Sequence, residues 1–120
     1  MATQDKCVSI VPYFKVNDGK MDAFKGLCEQ FMEKVTSEPD CLYYGFAFNG
    51  DEVHCREGYN GAEGALAHLD NVGAVLGEAL TISTLTRLEV HGIESELAKL
   101  RGPLADHKPT YFVLEYGTRR

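Results

Sequence analysis

The 120-residue sequence lacks several features that would indicate particular classes of protein. It has no run of about 18 apolar residues, and its first six residues lack the basic and apolar parts of a signal peptide. Its 12 basic residues are scattered among 18 acidic ones, so the net charge is -6 and no patch suits a phosphate backbone. We therefore expect a cytoplasmic protein that binds neither nucleic acid nor a membrane.

Cysteine motifs are also missing. The four cysteines are widely spaced and form no Cys-x-x-Cys motif: Cys7, Cys28, Cys41 and Cys55. Three of them lie in apolar segments, where a free thiol behaves as a small hydrophobe. Residues 54–57 include metal-ligand types, but alternation along a strand would send neighbouring side chains to opposite faces. We predict free thiols and no metal site.

The pattern that is present predicts one domain in which strands and helices alternate. Runs of β-branched and aromatic residues predict strands, and apolar residues three and four apart predict helices. In chain order these are a strand at 7–16, a long helix ending before Pro39, strands at 41–48 and 52–59, a helix from Gly61, a strand at 84–91, a short helix at 93–101 and a strand at 110–116. The order β-α-β-β-α-β, with the short helix and fifth strand appended, predicts a ferredoxin-like α+β domain.

Local signals refine this prediction. Pro12 in the first strand indicates an edge position or a β-bulge, because proline cannot donate a ladder hydrogen bond. The dipeptide Asn49-Gly50 favours a type I′ hairpin turn. Gly73 and Gly77 indicate a break in the second helix or a second short helix.

The start of the second helix provides the best functional lead. Asn60 is a good N-cap, and Glu63 three residues later completes a variant capping box, so the helix is predicted to begin near Gly61. Its apolar positions leave His68 at the border of the buried stripe. An imidazole there can face a cavity and exchange protons near neutral pH. The alternative is a half-exposed surface histidine.

Three segments carry a resemblance that covers nearly the whole chain. They are the strand-turn-helix at residues 16–24, the opening of the second strand at 38–44, and Glu57-Gly58-Tyr59 followed by Ala65 and His68. In these segments the chain resembles the antibiotic biosynthesis monooxygenase family. The resemblance implies a homodimer in which two sheets pack face to face into a dimeric α+β barrel. It also implies an apolar pocket between the sheet and the helices of each subunit.

The resemblance further implies an activity. Oxygenases of this family oxidise phenolic or anthrone-like molecules without metal or flavin, so we expect a cofactor-independent monooxygenase acting on an aromatic, phenolic or quinol-like molecule, with His68 as its catalytic base. Aromatic side chains would bind the substrate: Tyr13, Phe24, Tyr44, Phe46 and Tyr59. Each of these also suits core or interface packing. The alternative function is a non-catalytic dimeric domain of the same fold that binds a small ligand or is associated with stress. The sequence has no tryptophan, which counts against the haem chemistry of some relatives.

Overall fold

The computed structural model describes residues 2–120 and has the predicted ferredoxin-like α+β fold. The elements are β1 (Cys7–Val16), α1 (Met21–Val35), β2 (Cys41–Asn49), β3 (Glu52–Asn60), α2 (Gly61–Ala79), β4 (Ser83–Gly92), α3 (Glu94–Leu97), a 3₁₀ turn (Ala105–His107) and β5 (Thr110–Val113). The last helix and the last strand are shorter than predicted. Within residues 2–120, no helix has the length and apolar character needed to cross a membrane.

One five-stranded sheet, in the order β2-β3-β1-β4-β5, organises the molecule. Neighbouring strands are antiparallel except β4 and β5, which are parallel. The strand β1 therefore lies at the centre, and the prediction of an edge position for Pro12 is wrong. The ladder to β4 shifts register between Tyr13 and Phe14. An irregularity next to the proline, the other option that the sequence offered, is thus present.

The hairpin between β2 and β3 is confirmed, but its turn differs from the prediction. Asn49 pairs with Glu52, so the two-residue loop is Gly50-Asp51. Gly50 has a φ of 60°, whereas Asp51 is not among the residues with positive φ. A type I′ turn needs positive φ at both central residues, and positive φ at the first alone fits type II′.

The helix α2 runs without a break from Gly61 to Ala79, so the predicted interruption is wrong. Glycine costs a helix about 1 kcal/mol relative to alanine. Here the buried side chains Val72, Val75 and Ala79 hold the helix against the core, and tertiary packing outweighs the local preference.

The start of α2 falls where the sequence placed it, although the capping group is different. Asn60 makes no side-chain cap hydrogen bond. Instead the backbone N–H of Ala62 donates to Oε1 of Glu96, at 2.9 Å, from the distant helix α3. Gly61 itself has a φ of 83°, a conformation that glycine adopts without strain. A carboxylate from another part of the chain thus replaces the predicted local cap.

The helices α1 and α2 cover one face of the sheet, which we call the inner face. Strand β1 sends Val8, Ile10, Phe14 and Val16 to this face, where they are buried. The opposite face, which we call the outer face, carries the alternate residues of each strand, and none of the helices in the described part of the chain covers it. This difference between the faces determines where a small-molecule site can form.

Candidate functional site

A cavity of about 60 Å³ lies between the inner face of the sheet and α2. Most of its lining is aliphatic or aromatic, and the polar exceptions are Tyr44, Cys55, Glu57, His68 and His107. It shares five lining residues with a neighbouring groove of about 370 Å³ between α2 and residues 103–107. The cavity is therefore a narrow apolar space continuous with a wider groove.

Strand β3 brings a carboxyl group to this cavity by simple alternation. Val53, Cys55, Glu57 and Tyr59 are its buried inner-face residues. In the ladder between β2 and β3, Tyr44 lies directly opposite Glu57. Glu57 is thus the only acidic residue among these inner-face positions of β3, and it lies between Cys55 and Tyr59 at the wall of the cavity.

The carboxyl group of Glu57 is almost inaccessible, with 4% of the residue exposed. The Tyr59 hydroxyl donates a hydrogen bond of 2.6 Å to its Oε1. Burial raises the pKa of Glu57 to about 7, although that hydrogen bond acts in the opposite direction. At neutral pH this carboxyl is therefore divided between its protonated and ionised forms.

His68 lies between two carboxyl groups and is 2% exposed, so it is buried and not at a border. Its Nδ1 is 3.0 Å from both carboxyl oxygens of Glu38, and its Nε2 is 3.4 Å from Oε1 of Glu57. The second distance is too long for a strong hydrogen bond. Burial lowers the pKa of His68, while Glu38 acts to raise it. The rings of Tyr44 and Tyr59 flank the imidazole, with centroids 5.1 and 4.9 Å away.

The predicted site residues fall into two groups. His68, Tyr44 and Phe46 line the cavity. Tyr59 is fully buried and reaches the site through its hydrogen bond to Glu57. The structure thus brings together the histidine and three of the five aromatic side chains.

Phe24 and Tyr13 lie elsewhere. Phe24 packs in the core against Phe14, with ring centroids 5.6 Å apart. Tyr13 points to the outer face and stacks on His54 at 4.9 Å. Neither residue lines the cavity, so neither is placed to contact a substrate bound there in the way that the sequence predicted.

Sequence reasoning missed the acidic part of the site. In the sequence, Glu57 belongs to a segment that contains metal-ligand residue types, and Glu38 belongs only to a motif of the family resemblance. A usable signal existed for Glu57, because it occupies an inner-face position in a strand whose inner-face neighbours are apolar or aromatic. No comparable signal marks Glu38, since its contact with His68 spans 30 residues of sequence.

Comparison with solved structures shows two levels of similarity. MupZ from Pseudomonas fluorescens shares 45% sequence identity, with 100% of this chain and 94% of that chain covered and a TM-score of 0.95. Proteins from Nitrosomonas europaea and Caulobacter crescentus, each named a putative antibiotic biosynthesis monooxygenase, have TM-scores of 0.69 and 0.65 at 16% and 19% identity. These two alignments cover 77% and 72% of this chain, and 94% and 88% of theirs. No protein-family model and no curated protein matches the chain.

These findings define a ferredoxin-like α+β domain of the kind that antibiotic biosynthesis monooxygenases share. The two more distant structures support the fold alone. The similarity to MupZ extends over the full chain at substantial identity. The chain belongs to the same family as MupZ, and its fold is that of the antibiotic biosynthesis monooxygenases, as the resemblance in its sequence implied.

Proposed function

We propose that this protein is a cofactor-independent enzyme that moves protons to and from an oxygen-bearing group of an apolar small molecule. One observation carries the proposal: a buried carboxyl with a pKa of about 7 lies 3.4 Å from a buried imidazole at the wall of an apolar cavity. Acid–base groups are most effective when their pKa lies near the working pH. Proton transfer by a positioned side chain typically contributes about 10²–10⁴ in rate.

The environments of the two groups suggest how they divide the work. Burial raises the pKa of Glu57, so its carboxyl retains a proton that it can donate near neutral pH. Burial lowers the pKa of His68, so its imidazole is available as a neutral acceptor. Environments that move two titratable groups in opposite directions commonly assign one as acid and the other as base. We therefore assign Glu57 as the general acid and His68 as the general base.

The dimensions of the cavity restrict how a substrate can bind. Pockets that enclose drug-sized ligands measure about 300–1,000 Å³, whereas this cavity measures about 60 Å³. The adjoining groove measures about 370 Å³. We propose that only the reacting group enters the cavity and that the remainder of the substrate lies along the groove.

Oxygenation of a phenolic or quinol-like substrate is a second candidate, which the structural likeness to proteins named antibiotic biosynthesis monooxygenases favours. In that reaction His68 would remove a proton, and the resulting anion would supply the electrons to O₂. For an anthrone the balance is one CH₂ group and one O₂ converted to one C=O group and one water. This route needs the same base, and it adds a requirement for oxygen.

We also propose that the protein is a homodimer formed through the outer face. In a single chain this face exposes aromatic rings, including Tyr43 at 38% and Phe112 at 42% exposure. The ring of His54 lies on the same face, and its Nδ1 is buried and has no hydrogen-bond partner among residues 2–120. A second copy would cover the rings and could provide a partner for that nitrogen.

The test uses anthrone and hydroxylated anthrones as probes. Under anaerobic conditions, exchange of the C10 hydrogens with deuterated solvent measures proton transfer, and oxygen uptake in air measures oxygenation. We expect His68→Gln to reduce exchange by about 10²–10⁴, while His91→Gln on the outer face leaves it unchanged. Exchange without oxygen uptake would exclude the monooxygenase. Binding without either reaction would support the non-catalytic alternative, and equal exchange in His68→Gln would remove His68 from the mechanism.

A further inference from the structure

The unexplained feature of the site is Glu38, which the acid–base proposal does not use. It lies in the turn between α1 and β2, and its side chain is 10% exposed. Both of its carboxyl oxygens are 3.0 Å from Nδ1 of His68, on the side of the ring away from Glu57. This contact is shorter than the one between His68 and Glu57, so it dominates the orientation of the ring.

Glu38 is itself held in place. The side-chain amide of Asn71 donates to Oε2 of Glu38 at 2.8 Å and to the backbone carbonyl of Lys34 at 3.1 Å. Both partners of that nitrogen are acceptors, which fixes the orientation of the amide group. Asn71 follows His68 by three residues on α2, and residues at this spacing share one helix face. One helix face therefore presents two donors to a single carboxylate.

The identity of the acceptor determines where the imidazole proton resides. A carboxylate accepts hydrogen bonds and cannot donate them. Because Glu38 lies 3.0 Å from Nδ1 whereas Glu57 lies 3.4 Å from Nε2, Glu38 is the stronger acceptor and the nitrogen that faces it carries the hydrogen. In a neutral imidazole the other nitrogen then has a free lone pair. That nitrogen is Nε2, which faces Glu57.

We propose that Glu38, held by Asn71, is the positioning residue of this site and fixes His68 as the Nδ1–H tautomer, with Nε2 as the proton acceptor. The proposal rests on the acid–base function, since it names the group that prepares the base. Glu38 contacts His68 and is not a lining residue of the cavity. Glu38 would affect the reaction by orienting His68, and Asn71 would do so by holding the carboxylate of Glu38.

The molecule contains a second pair of the same residue types that serves as an internal control. On the outer face, Nε2 of His91 is 2.9 Å from Oε1 of Glu89. By the same rule, a neutral His91 carries its hydrogen on Nε2, the nitrogen that faces Glu89. The two histidines should therefore be opposite tautomers within one protein.

NMR of the full-length protein with ring-¹⁵N histidine tests this without any substrate. Two-bond couplings from the carbon-bound ring hydrogens to the nitrogens distinguish the tautomers, and His68→Gln assigns the signals. Above the pKa of His68, we expect the Nδ1–H form to exceed the Nε2–H form by about tenfold or more, because hydrogen bonds to charged acceptors are strong. Glu38→Ala should produce a mixture and lower the pKa of His68. Glu89→Ala should change His91 alone.

Two results would overturn the proposal. One is an Nε2–H tautomer for His68 in the wild-type protein, and the other is an unchanged tautomer and pKa in folded Glu38→Ala. If Glu38→Ala does not fold, Glu38→Gln preserves the shape of the side chain while removing its charge, and it should still lower the pKa of His68. Either result would contradict the role of Glu38 but not the acid–base function, in which His68 would still act as the base without being oriented by Glu38. If His68 is the Nδ1–H tautomer but the protein catalyses no proton exchange with the anthrone probes, the acid–base function would be wrong while the role of Glu38 would stand.

Discussion

The two faces of the sheet carry the same residue types in opposite electrostatic settings. On the inner face Glu57 is buried beside His68 at 3.4 Å, and burial raises its pKa to about 7. On the outer face Glu89 lies between His91 and Arg87, and these hydrogen bonds lower its pKa. A glutamate beside a histidine is therefore not by itself an acid–base site. What distinguishes the inner pair is the removal of water around it.

Solvation explains why the two pairs differ. The side chains of His91 and Arg87 are 41% and 50% exposed, so water and the hydrogen bonds from these two side chains stabilise the charged form of Glu89. Glu57 has lost most of its water, and its short contact is a tyrosine hydroxyl. A neutral carboxylic acid can persist at neutral pH only in the second environment.

The largest effect is expected from a charge at the centre of the outer face. Val11 lies on the outer face of the central strand β1, paired with Glu89. We expect Val11→Glu to convert a dimer into a monomer at micromolar concentration, because two acidic side chains would be buried in the interface without partners. Sedimentation velocity measures the change, with Met32→Glu, at an exposed position of α1, as the matched control. A wild-type monomer, or an unaffected dimer in Val11→Glu, would contradict the proposed interface on the outer face.

The next effect concerns the stability of the inner face as pH changes. Because the pKa of Glu57 is raised in the folded state from 4.5 to about 7, its contribution is fully present below pH 4.5 and is lost as the pH rises through 7. At pH 8 the buried charge should cost about 3 kcal/mol. Glu57→Gln, a neutral isostere, should therefore be more stable than the wild type at pH 8 and equal to it near pH 4.

Denaturant unfolding at pH 4, 6 and 8 measures this difference, and Glu89→Gln is the matched control. The pKa of Glu89 is lowered, so its contribution has the opposite sign and is lost as the pH falls. An unfolding free energy of Glu57→Gln that parallels the wild type from pH 4 to pH 8 would show that Glu57 titrates normally.

The fold was accessible from the sequence because its signals are local. Strand β1 has the predicted bounds of residues 7–16, and α2 begins at the predicted Gly61. The errors occurred where distant packing decided the outcome. The interior of α2 tolerates Gly73 and Gly77 because its other face is buried, and its N-terminus is capped by Glu96 from 34 residues away.

The site was accessible only in part, for the same reason. His68 could be selected because helix periodicity is local, and the structure brings it to a cavity. Its partners come from a turn and from β3, and no spacing rule connects residues 38, 57 and 68. Tyr13 and Tyr44 have equally aromatic surroundings in the sequence, yet the sheet separates them onto opposite faces. Which face a strand residue occupies follows from the register, and the register depends on the whole sheet.

The smallest effects concern two glycines that probe how tightly each face is packed. A Cβ atom at Gly64 of α2 would lie 2.9 Å from Cβ of Asp40 and 3.3 Å from Cβ of Tyr59, next to the site. A Cβ atom at Gly58 of β3 would meet the ring of Tyr43 on the outer face, at 2.1 Å. The first contact involves atoms close to the backbone, whereas the Tyr43 ring can rotate away at the expense of its exposed hydrogen bond to Ser9.

We therefore expect Gly64→Ala to destabilise the protein by about 1–3 kcal/mol and Gly58→Ala by less than about 1 kcal/mol. Denaturant unfolding should compare both in the Val11→Glu background, where the outer face is expected to be free of a partner copy. In the wild-type background Gly58→Ala should cost more, because a partner copy would restrict the rotation of Tyr43. Equal costs for Gly58→Ala in the two backgrounds would mean that Tyr43 is not covered in the dimer. Equal costs for Gly58→Ala and Gly64→Ala in the monomer would mean that the two faces are packed alike.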